Sequence, residues 1–351
     1  MVLSESIVRV AAVQAEPEWL DLQAGVKKTC SLIAKAAEAG AQLVSFSECF
    51  IPGYPAWIWT RPVDPELTVK YIENSLKVDS PEMQTICAAA AKHNINVVLG
   101  FSENDHNSLY MAQATISGAT GEILMKRRKF KPTHVERTVF GEASGSSLMN
   151  VVDLPIGKVG ALNCWEHIQP LLKYHTFLQR EEIHVSSWSA LDPFVDGDAG
   201  HWGMSREGSH CAGQQYAVEG GCFVIHTTAV TSQRGIDIMK TQGDPNYGTP
   251  GGGCSAIYGP DGRRLTKWLS ETEEGLVFAD LDKKLLIAAR TLVDSCGHYS
   301  RPDMLWLGAE ARERRHVDYQ GAPELKMEKP EKSDTSSESS DDKAGLVGRG
   351  Q

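Results

Sequence analysis

Residues 159–167 read Val-Gly-Ala-Leu-Asn-Cys-Trp-Glu-His, an apolar run that ends at Cys164 and continues into polar residues. The pattern predicts a strand-to-helix turn with the cysteine exposed at its tip, as in the nucleophile turns of other hydrolases. Amide groups at the start of a helix, and the positive end of its dipole, favour a thiolate. A nucleophilic Cys164 is one interpretation of this pattern. The alternative is a buried structural cysteine, which is the commoner fate of a free thiol.

Two earlier apolar runs also end in ionisable residues. Glu48 follows the run at residues 42–46, and Lys129 follows the run at residues 123–126. A carboxylate, an amine and a thiol thus come, in that order, at three predicted strand ends. Glu48 and Lys129 can each also be interpreted as surface residues without a catalytic role. Glu48 could be an exposed strand-end carboxylate, and Lys129 lies in a basic cluster of the kind that usually forms a solvated face.

Strands and helices alternate along most of the chain. Apolar periodicity and capping residues predict helices at residues 23–39, 81–93 and 211–219 and after Pro170. Buried apolar runs predict strands at residues 7–14, 42–46, 96–101, 109–116, 123–126, 158–162, 182–187, 222–227, 253–258 and 276–279. This order predicts an α/β fold whose sheets are covered by helices. Periodicity alone does not distinguish a sandwich from a doubly wound sheet.

Composition argues against several classes of protein. The net charge of −10 disfavours a nucleic-acid-binding surface, which is normally basic. No apolar run reaches the roughly 18 residues of a membrane span, and residues 1–5 lack the basic and apolar regions of a secretory signal. The eight cysteines show no C-x-x-C spacing, which disfavours a zinc ribbon or a disulfide framework. We therefore expect free thiols and a cytoplasmic location.

Five segments, in order and at matching spacing, resemble the nitrilase superfamily, the carbon–nitrogen hydrolases with a Glu-Lys-Cys site. They are Ala12-Val13-Gln14, Ser47-Glu48 with Pro52-Gly53-Tyr54-Pro55, Arg127-Arg128-Lys129 with residues 132–137, Asn163-Cys164-Trp165-Glu166-His167, and residues 297–303. The resemblance covers residues 6–306. The Cys-Trp-Glu-His form is similar to the true nitrilase branch, and most of all to the aromatic and arylacetonitrile nitrilases of fungi and bacteria.

This resemblance implies an α-β-β-α sandwich that pairs through helices into an α-β-β-α-α-β-β-α dimer. It implies further growth into spiral or filamentous homo-oligomers. It also implies a hydrolase that converts organic nitriles, aromatic or arylaliphatic, to a carboxylic acid and ammonia, with some amide released. The expected partners are a small-molecule nitrile, water and other copies of the chain. We expect no cofactor, no metal, no nucleic acid and no membrane to take part.

The resemblance also assigns roles to the ionisable residues. Cys164 is the expected nucleophile, Glu48 the general base, and Lys129 the cation that stabilises charge on the nitrile nitrogen. Glu136 resembles a second glutamate near the family's lysine, and it is expected to position that lysine or the substrate through a charged hydrogen bond. The alternative for Glu136 is a surface ion pair with Arg137.

The predicted substrate-binding residues are Tyr54, Trp165, Glu166, His167 and Trp188. The aromatic members are expected to line a pocket for a flat apolar ligand. Backbone amides of the three residues after the cysteine are expected to bind developing negative charge at the helix start. A papain-like Cys-His pair is less favoured, because adjacent side chains on a turn rarely face each other. Two further tryptophans, Trp57 and Trp59, fit the pocket and the core about equally well.

Two positions depart from the family pattern. Ser47 stands where much of the family has proline, and Trp188-Ser189 stands where related nitrilases have Trp-Pro. The second segment borders the pocket in the family, so the substrate range stays open. The alternatives to a nitrilase are a cyanide hydratase or dihydratase, an amidase or carbamoylase, and a catalytically silent assembly protein.

The composition changes near the end of the chain. Residues 1–322 are predicted to form the catalytic domain, and residues 323–351 a tail that is acidic and Ser-rich, then Gly-rich. Such a segment buries too little apolar surface to offset its chain entropy. We therefore expect the tail to be disordered.

Overall fold

The computed structural model describes residues 6–197 and 201–313. The strands within these residues are β1 (Ile7–Gln14), β2 (Leu43–Ser45), β3 (Asn96–Asp105), β4 (Ser108–Ile116), β5 (Ile123–Arg128), β6 (Val151–Leu154), β7 (Gly157–Asn163), β8 (Ile183–Ser187), β9 (Phe223–Thr227), β10 (Ala256–Tyr258) and β11 (Gly275–Asp282). The α-helices are α1 (Leu22–Glu38), α2 (Pro65–Asn74), α3 (Pro81–His93), α4 (Pro170–Leu178), α5 (Arg206–Gly220), α6 (Gln233–Met239) and α7 (Lys284–Leu292).

The strands form two mixed sheets. One has the order β11-β1-β2-β3-β4-β5, and the other has the order β10-β9-β8-β7-β6. The centre of each sheet is parallel, β1 with β2 and β3 in the first and β7 with β8 and β9 in the second. The outer strands pair antiparallel. Parallel centres bring the carboxyl ends of several strands to one edge of each sheet, where ligand sites commonly lie.

Alternate side chains of β1 enter two different cores, as the two-residue period of a strand requires. Val8 and Val10 belong to a cluster that joins both sheets, with residues of β7, β8 and β9 on the other side. Ala11 and Val13 instead pack with residues of α1 and α3. On the second sheet, Leu162 and other residues pack against α4 and α5. The layers are therefore helix, sheet, sheet and helix, which confirms the predicted α-β-β-α sandwich.

Helix caps agree with the sequence pattern where the predicted helices begin. The Asp21 side chain accepts the amide hydrogen of Ala24 at the start of α1, and the Ser80 hydroxyl accepts that of Met83 at the start of α3. Helices α2, α6 and α7 were not predicted. In α2 the buried residues are Leu67 and Tyr71, a stripe too narrow to give a helical period.

None of the helices within the described residues combines the length and the apolarity needed to cross a bilayer. The predicted domain boundary after residue 322 and the tail at residues 323–351 lie outside the described residues and stay predictions. The predicted dimer likewise stays a prediction.

Candidate active site

Three strand ends deliver the predicted trio to one place. Glu48 follows β2 after two residues, Lys129 directly follows β5, and Cys164 directly follows β7. All three side chains are buried. The charges of Glu48 and Lys129 both act on the Cys164 thiol, so the three groups share one electrostatic environment.

A close backbone crossing places Glu48. The loop after β2 runs over Gly100 of β3, whose carbonyl accepts the Phe50 amide hydrogen at 2.9 Å. A Cβ atom at Gly100 would lie 2.2 Å from the Ser47 carbonyl oxygen. Glycine is therefore required for the loop to lie this close to the sheet.

The Lys129 ammonium lies between two carboxylates. Its Nζ donates to Glu48 Oε1 at 2.9 Å and to Glu136 Oε2 at 2.8 Å. Burial lowers the pKa of Lys129, but the two carboxylates outweigh burial and raise it well above its ordinary value. Lys129 is therefore a fixed positive charge in a dry site, where electrostatic stabilisation is strong. Neighbouring Lys131 instead forms an exposed ion pair with Glu142.

Glu136 is held by the protein on both carboxylate oxygens. Tyr54 Oη donates to Oε1 at 2.8 Å, and the Thr133 amide donates to Oε2 at 2.5 Å. Trp59 Nε1 in turn donates to Tyr54 Oη at 3.1 Å. This geometry places Glu136 against Lys129, whereas the alternative was a surface ion pair with Arg137. Tyr54, predicted to bind substrate, is placed to orient Glu136.

Glu48 keeps one oxygen free of the protein. Its Oε2 is buried and has no hydrogen-bond partner among the described residues. Burial raises the pKa of Glu48 to about 8, against the attraction of Lys129 and with the help of the nearby Glu136 charge. A carboxyl group of this kind exchanges a proton near neutral pH, as a general base must.

The environment of Cys164 differs from the prediction in two respects: the side chain is buried and not exposed at the tip of the turn, and its thiol does not favour the thiolate. The residue has φ +46°, a left-handed conformation that is uncommon outside glycine, and it opens a short 3-10 turn, Cys164–Ile168. Burial and the Glu48 charge raise the pKa of its thiol well above the ordinary value, and Lys129 only partly opposes them. The predicted thiolate is therefore not favoured at rest, so a base must take the proton.

Both carboxylate oxygens of Glu166 are hydrogen-bonded to other groups of the protein. It accepts two hydrogen bonds from Arg127, at 2.6 and 2.8 Å, and one each from the amides of Phe130 and Asn163, both at 2.8 Å. Burial raises the pKa of this carboxyl, but Arg127 and the two amides outweigh burial and hold the pKa below its ordinary value. The Glu166 carboxylate thus ties the strand before Lys129 to the turn after β7, and it does not face a substrate.

Both ring nitrogens of His167 are also hydrogen-bonded to other groups of the protein. Its Nδ1 bonds to the Cys164 carbonyl at 2.6 Å, and its Nε2 lies 3.0 Å from His184 Nε2. His184 Nδ1 continues the chain to Glu181 at 2.8 Å, and Glu181 accepts from Tyr216 at 2.6 Å. Burial lowers the pKa of His167 well below its ordinary value. Neither a Cys-His base nor a substrate-facing side chain fits this geometry. For Glu166 and His167 the backbone amides alone remain as predicted substrate contacts.

The predicted aromatic residues divide between pocket and core. Trp165, Trp188 and Trp202 line a cavity of about 450 Å³ next to the nucleophile turn. The Trp188 ring stacks on His167 with 5.5 Å between centroids. Trp57 is fully buried against Tyr71 and belongs to the core.

Arg127 is part of the site but was not among the predicted site residues. In β5 and the residue after it, Arg127 and Lys129 are buried, whereas Lys126 is exposed and Arg128 is half-buried. This two-residue alternation was present in the basic cluster and is the signal that could have separated its members.

The chain is similar in sequence and in fold to known proteins. A family model described as carbon–nitrogen hydrolase matches residues 9–291. An arylacetonitrilase of Aspergillus kawachii is 59% identical over 312 residues, which cover 89% of this chain and 94% of that protein. An arylacetonitrilase of Aspergillus niger is 61% identical over 307 residues, which cover 88% and 90%. Among solved structures, a carbon–nitrogen hydrolase of Helicobacter pylori has a TM-score of 0.64 at 17% identity, over 82% of this chain and 93% of that one.

We predict that Glu166→Gln destabilises the fold strongly, because it leaves the Arg127 charge buried without its counter-charge. The expected loss is on the order of 3 kcal/mol in the free energy of unfolding, measured by urea denaturation. Asp153→Asn is the matched control, since it breaks an exposed pair with Lys158 at 3.9 Å and should leave the midpoint unchanged. Equal effects of the two substitutions would contradict the role given to the Arg127–Glu166 pair.

Proposed function

The chain belongs to the carbon–nitrogen hydrolase family, and from that premise we propose that it is a nitrilase. It converts an organic nitrile and two waters to a carboxylic acid and ammonia. The observation that carries this proposal is the buried Lys129 ammonium, held between Glu48 and Glu136 beside the Cys164 thiol. Relatives of more than half identity over nearly nine-tenths of the chain are named arylacetonitrilases, which supports it.

In the first half of the proposed reaction, Glu48 takes the thiol proton and Cys164 sulfur attacks the nitrile carbon. The carbon–nitrogen triple bond becomes a double bond, Glu48 passes the thiol proton to the nitrogen, and the product is a neutral thioimidate with Glu48 again a carboxylate. Lys129 stabilises the charge that develops on nitrogen. The free Oε2 of Glu48 is the atom that accepts the proton.

In the second half, Glu48 activates a water that adds to the thioimidate carbon. The tetrahedral intermediate expels ammonia and leaves a thioester, which a second water hydrolyses to the acid and free Cys164. If the intermediate expels the thiolate instead, an amide is released. Glu136 holds Lys129 in place throughout, and Tyr54 holds Glu136.

Arylaliphatic and aromatic nitriles are the proposed substrates. Support comes from the names of the relatives and from the aromatic rings of Trp165 and Trp188, which pack in one cluster with Cys164. Flat aromatic walls suit an aryl ring. The eight cysteines, all within the described residues, are free thiols, which supports a reducing, cytoplasmic location.

Ammonia release from phenylacetonitrile, benzonitrile, a short aliphatic nitrile and cyanide tests this proposal. We expect turnover of the two aromatic nitriles, with phenylacetonitrile preferred, and its loss in Cys164→Ala. Cys30→Ser, which changes a half-buried thiol on α1, is the control and should keep full activity. Turnover of cyanide alone would move the assignment to the cyanide-degrading enzymes. Ammonia that persists in Cys164→Ala would refute the mechanism.

The pH profile tests the coupling between the two glutamates. The acidic limb of kcat/KM should report Glu48 losing its proton, so activity should rise with pH toward the pKa of about 8. The Glu136 charge raises that pKa. Glu136→Gln should therefore move the acidic limb to lower pH while it lowers the maximal rate. In Glu142→Gln, which changes an exposed carboxylate, the limb should stay in place. A shift to higher pH in Glu136→Gln would be inconsistent with the proposed coupling.

We also propose that the chain forms dimers through helices and, from them, spiral or filamentous homo-oligomers. Support comes from large apolar side chains on the surface next to the nucleophile turn, Ile168 and Leu171, which are 52% and 69% exposed. Exposed apolar surface of this kind is common at subunit contacts.

Leu171→Asp should shift the sedimentation coefficient distribution toward the monomer, because it places a charge on this surface. Val69→Asp on α2, where the valine is 53% exposed, should leave the distribution unchanged. A wild-type protein that sediments only as a monomer would refute the assembly proposal.

A further inference from the structure

A second cluster of ionisable side chains lies outside the catalytic trio. His210 belongs to α5, His226 to β9, and Cys254 precedes β10 by two residues. One potential metal-ligand atom of each residue lies within 4.8 Å of those of the other two. His226 is fully buried, Cys254 is 1% exposed and His210 is 7% exposed. Three elements that are distant in sequence thus bring two imidazoles and a thiol together in the interior.

Each histidine has one ring nitrogen bonded and the other without a partner. His210 Nδ1 bonds to Tyr258 Oη, and His226 Nε2 lies 3.5 Å from Ser209 Oγ. His210 Nε2 and His226 Nδ1 are buried and have no hydrogen-bond partner among the described residues. A buried polar atom without a partner is costly. A bond through one nitrogen that leaves the other free is the usual arrangement of metal-ligating histidines.

The protonation of these groups suits a cation. Burial lowers the pKa of His210 to about 4, and Arg206 and Arg264 act in the same direction. Burial also lowers the pKa of His226 well below its ordinary value. Both imidazoles are therefore neutral at pH 7 and keep a free lone pair. Burial raises the pKa of the Cys254 thiol to about 12, so binding of an ion must release that proton.

The surroundings provide a route from solvent. His210 lines an open cavity of about 830 Å³ together with Tyr258, Trp268 and other residues. Two arginines face this cavity and oppose a cation. Arg206 is paired with Glu207 and lies 3.9 Å from Glu271, so acidic groups offset its charge. Arg264 stacks on the Trp268 ring, 4.0 Å from the centroid.

We propose that His210, His226 and Cys254 form a zinc site outside the catalytic centre. Two nitrogens and one sulfur suit Zn²⁺, which takes such ligands in tetrahedral geometry and leaves a fourth position here for water. Zn–S and Zn–N bonds of about 2.3 and 2.0 Å place ligands of one ion roughly 3.3–3.8 Å apart. The three ligand atoms, which lie within 4.8 Å of one another, reach these separations when they share one ion. Zinc replaces the proton of Cys254, which passes to solvent.

The site would tie α5 to the second sheet behind the pocket wall. The His226 ring lies 5.6 Å from the Trp188 ring, and Cys254 packs in one apolar cluster with Cys164 and Trp188. An ion that joins three elements binds the folded chain better than the unfolded one, so it should stabilise the fold.

Zinc titration of the full chain in a Cys164→Ala background tests the proposal without interference from the catalytic thiol. Calorimetry should give one ion per chain, with release of about one proton detected by the buffer dependence of the binding enthalpy. The melting temperature should rise by about 3 °C or more at saturating zinc. Co²⁺ in place of zinc should give a thiolate-to-cobalt charge-transfer band in the near ultraviolet.

Cys254→Ser should remove the charge-transfer band and the proton release and weaken zinc binding at least roughly tenfold. His210→Gln, at the cavity surface, should weaken binding similarly if Cys254→Ser fails to fold. Cys211→Ser changes the exposed thiol next to His210 and should have no effect. Absence of stoichiometric binding by the parent chain would overturn the proposal. So would binding that survives Cys254→Ser and His210→Gln, or that is lost in Cys211→Ser.

Discussion

The site depends on one constraint, which is that the Lys129 charge is held out of water between two carboxylates. Removing an ammonium from water is costly unless hydrogen-bonded counter-charges replace the solvent. Glu48 and Glu136 do so at 2.9 and 2.8 Å. Two negative charges around one positive charge leave one negative charge in excess. Burial raises the pKa of Glu48 to about 8, so Glu48 holds a proton at neutral pH and this excess charge is removed. The resting site is then neutral overall, with a thiol at Cys164 and a proton that must leave Glu48 before it can act as a base.

A chain of buried hydrogen bonds supports the nucleophile turn, and each donor in it must meet an acceptor. The Cys164 carbonyl can only accept, so His167 Nδ1 must donate to it. A neutral His167 then accepts at Nε2, and His184 must donate. His184 Nδ1 faces Glu181 at 2.8 Å, and Glu181 also accepts from Tyr216 at 2.6 Å. This network fixes the tautomer of His167 and thereby the position of the Cys164 carbonyl.

Much of this arrangement could be predicted from the sequence, and the remainder depended on contacts between distant residues. Strand ends are local features, so apolar runs that stop abruptly marked Glu48, Lys129 and Cys164 as candidates, and the family resemblance then chose Glu48 and Lys129 over their plainer interpretations. The layering of the sandwich came from family resemblance, because periodicity does not reveal which sheet a strand joins. The burial of Glu166 could not be foreseen, since its partner Arg127 lies 39 residues away in the sequence. The expected thiolate failed for a related reason: a motif shows a helix start but not the depth of burial that raises the thiol pKa.

Ser47 and Ser189, the two departures from the family pattern, do not take part in the backbone contact that holds Glu48. That contact joins the loop after β2 of the first sheet to the residue after β8 of the second sheet. The Glu48 amide donates to the Trp188 carbonyl at 3.1 Å. The amide hydrogen used in this contact belongs to Glu48, so neither Ser47 nor Ser189 supplies it. Serine at either position therefore keeps the link between the base and the pocket wall. Ser189 makes a different contact through its side chain, since its Oγ lies 3.4 Å from Tyr247 Oη. Tyr247 in turn stacks on Tyr54, with 5.5 Å between ring centroids, and Tyr54 donates to Glu136. The serine hydroxyl therefore contacts the aromatic residues that hold Glu136, where a proline would offer only a pyrrolidine ring.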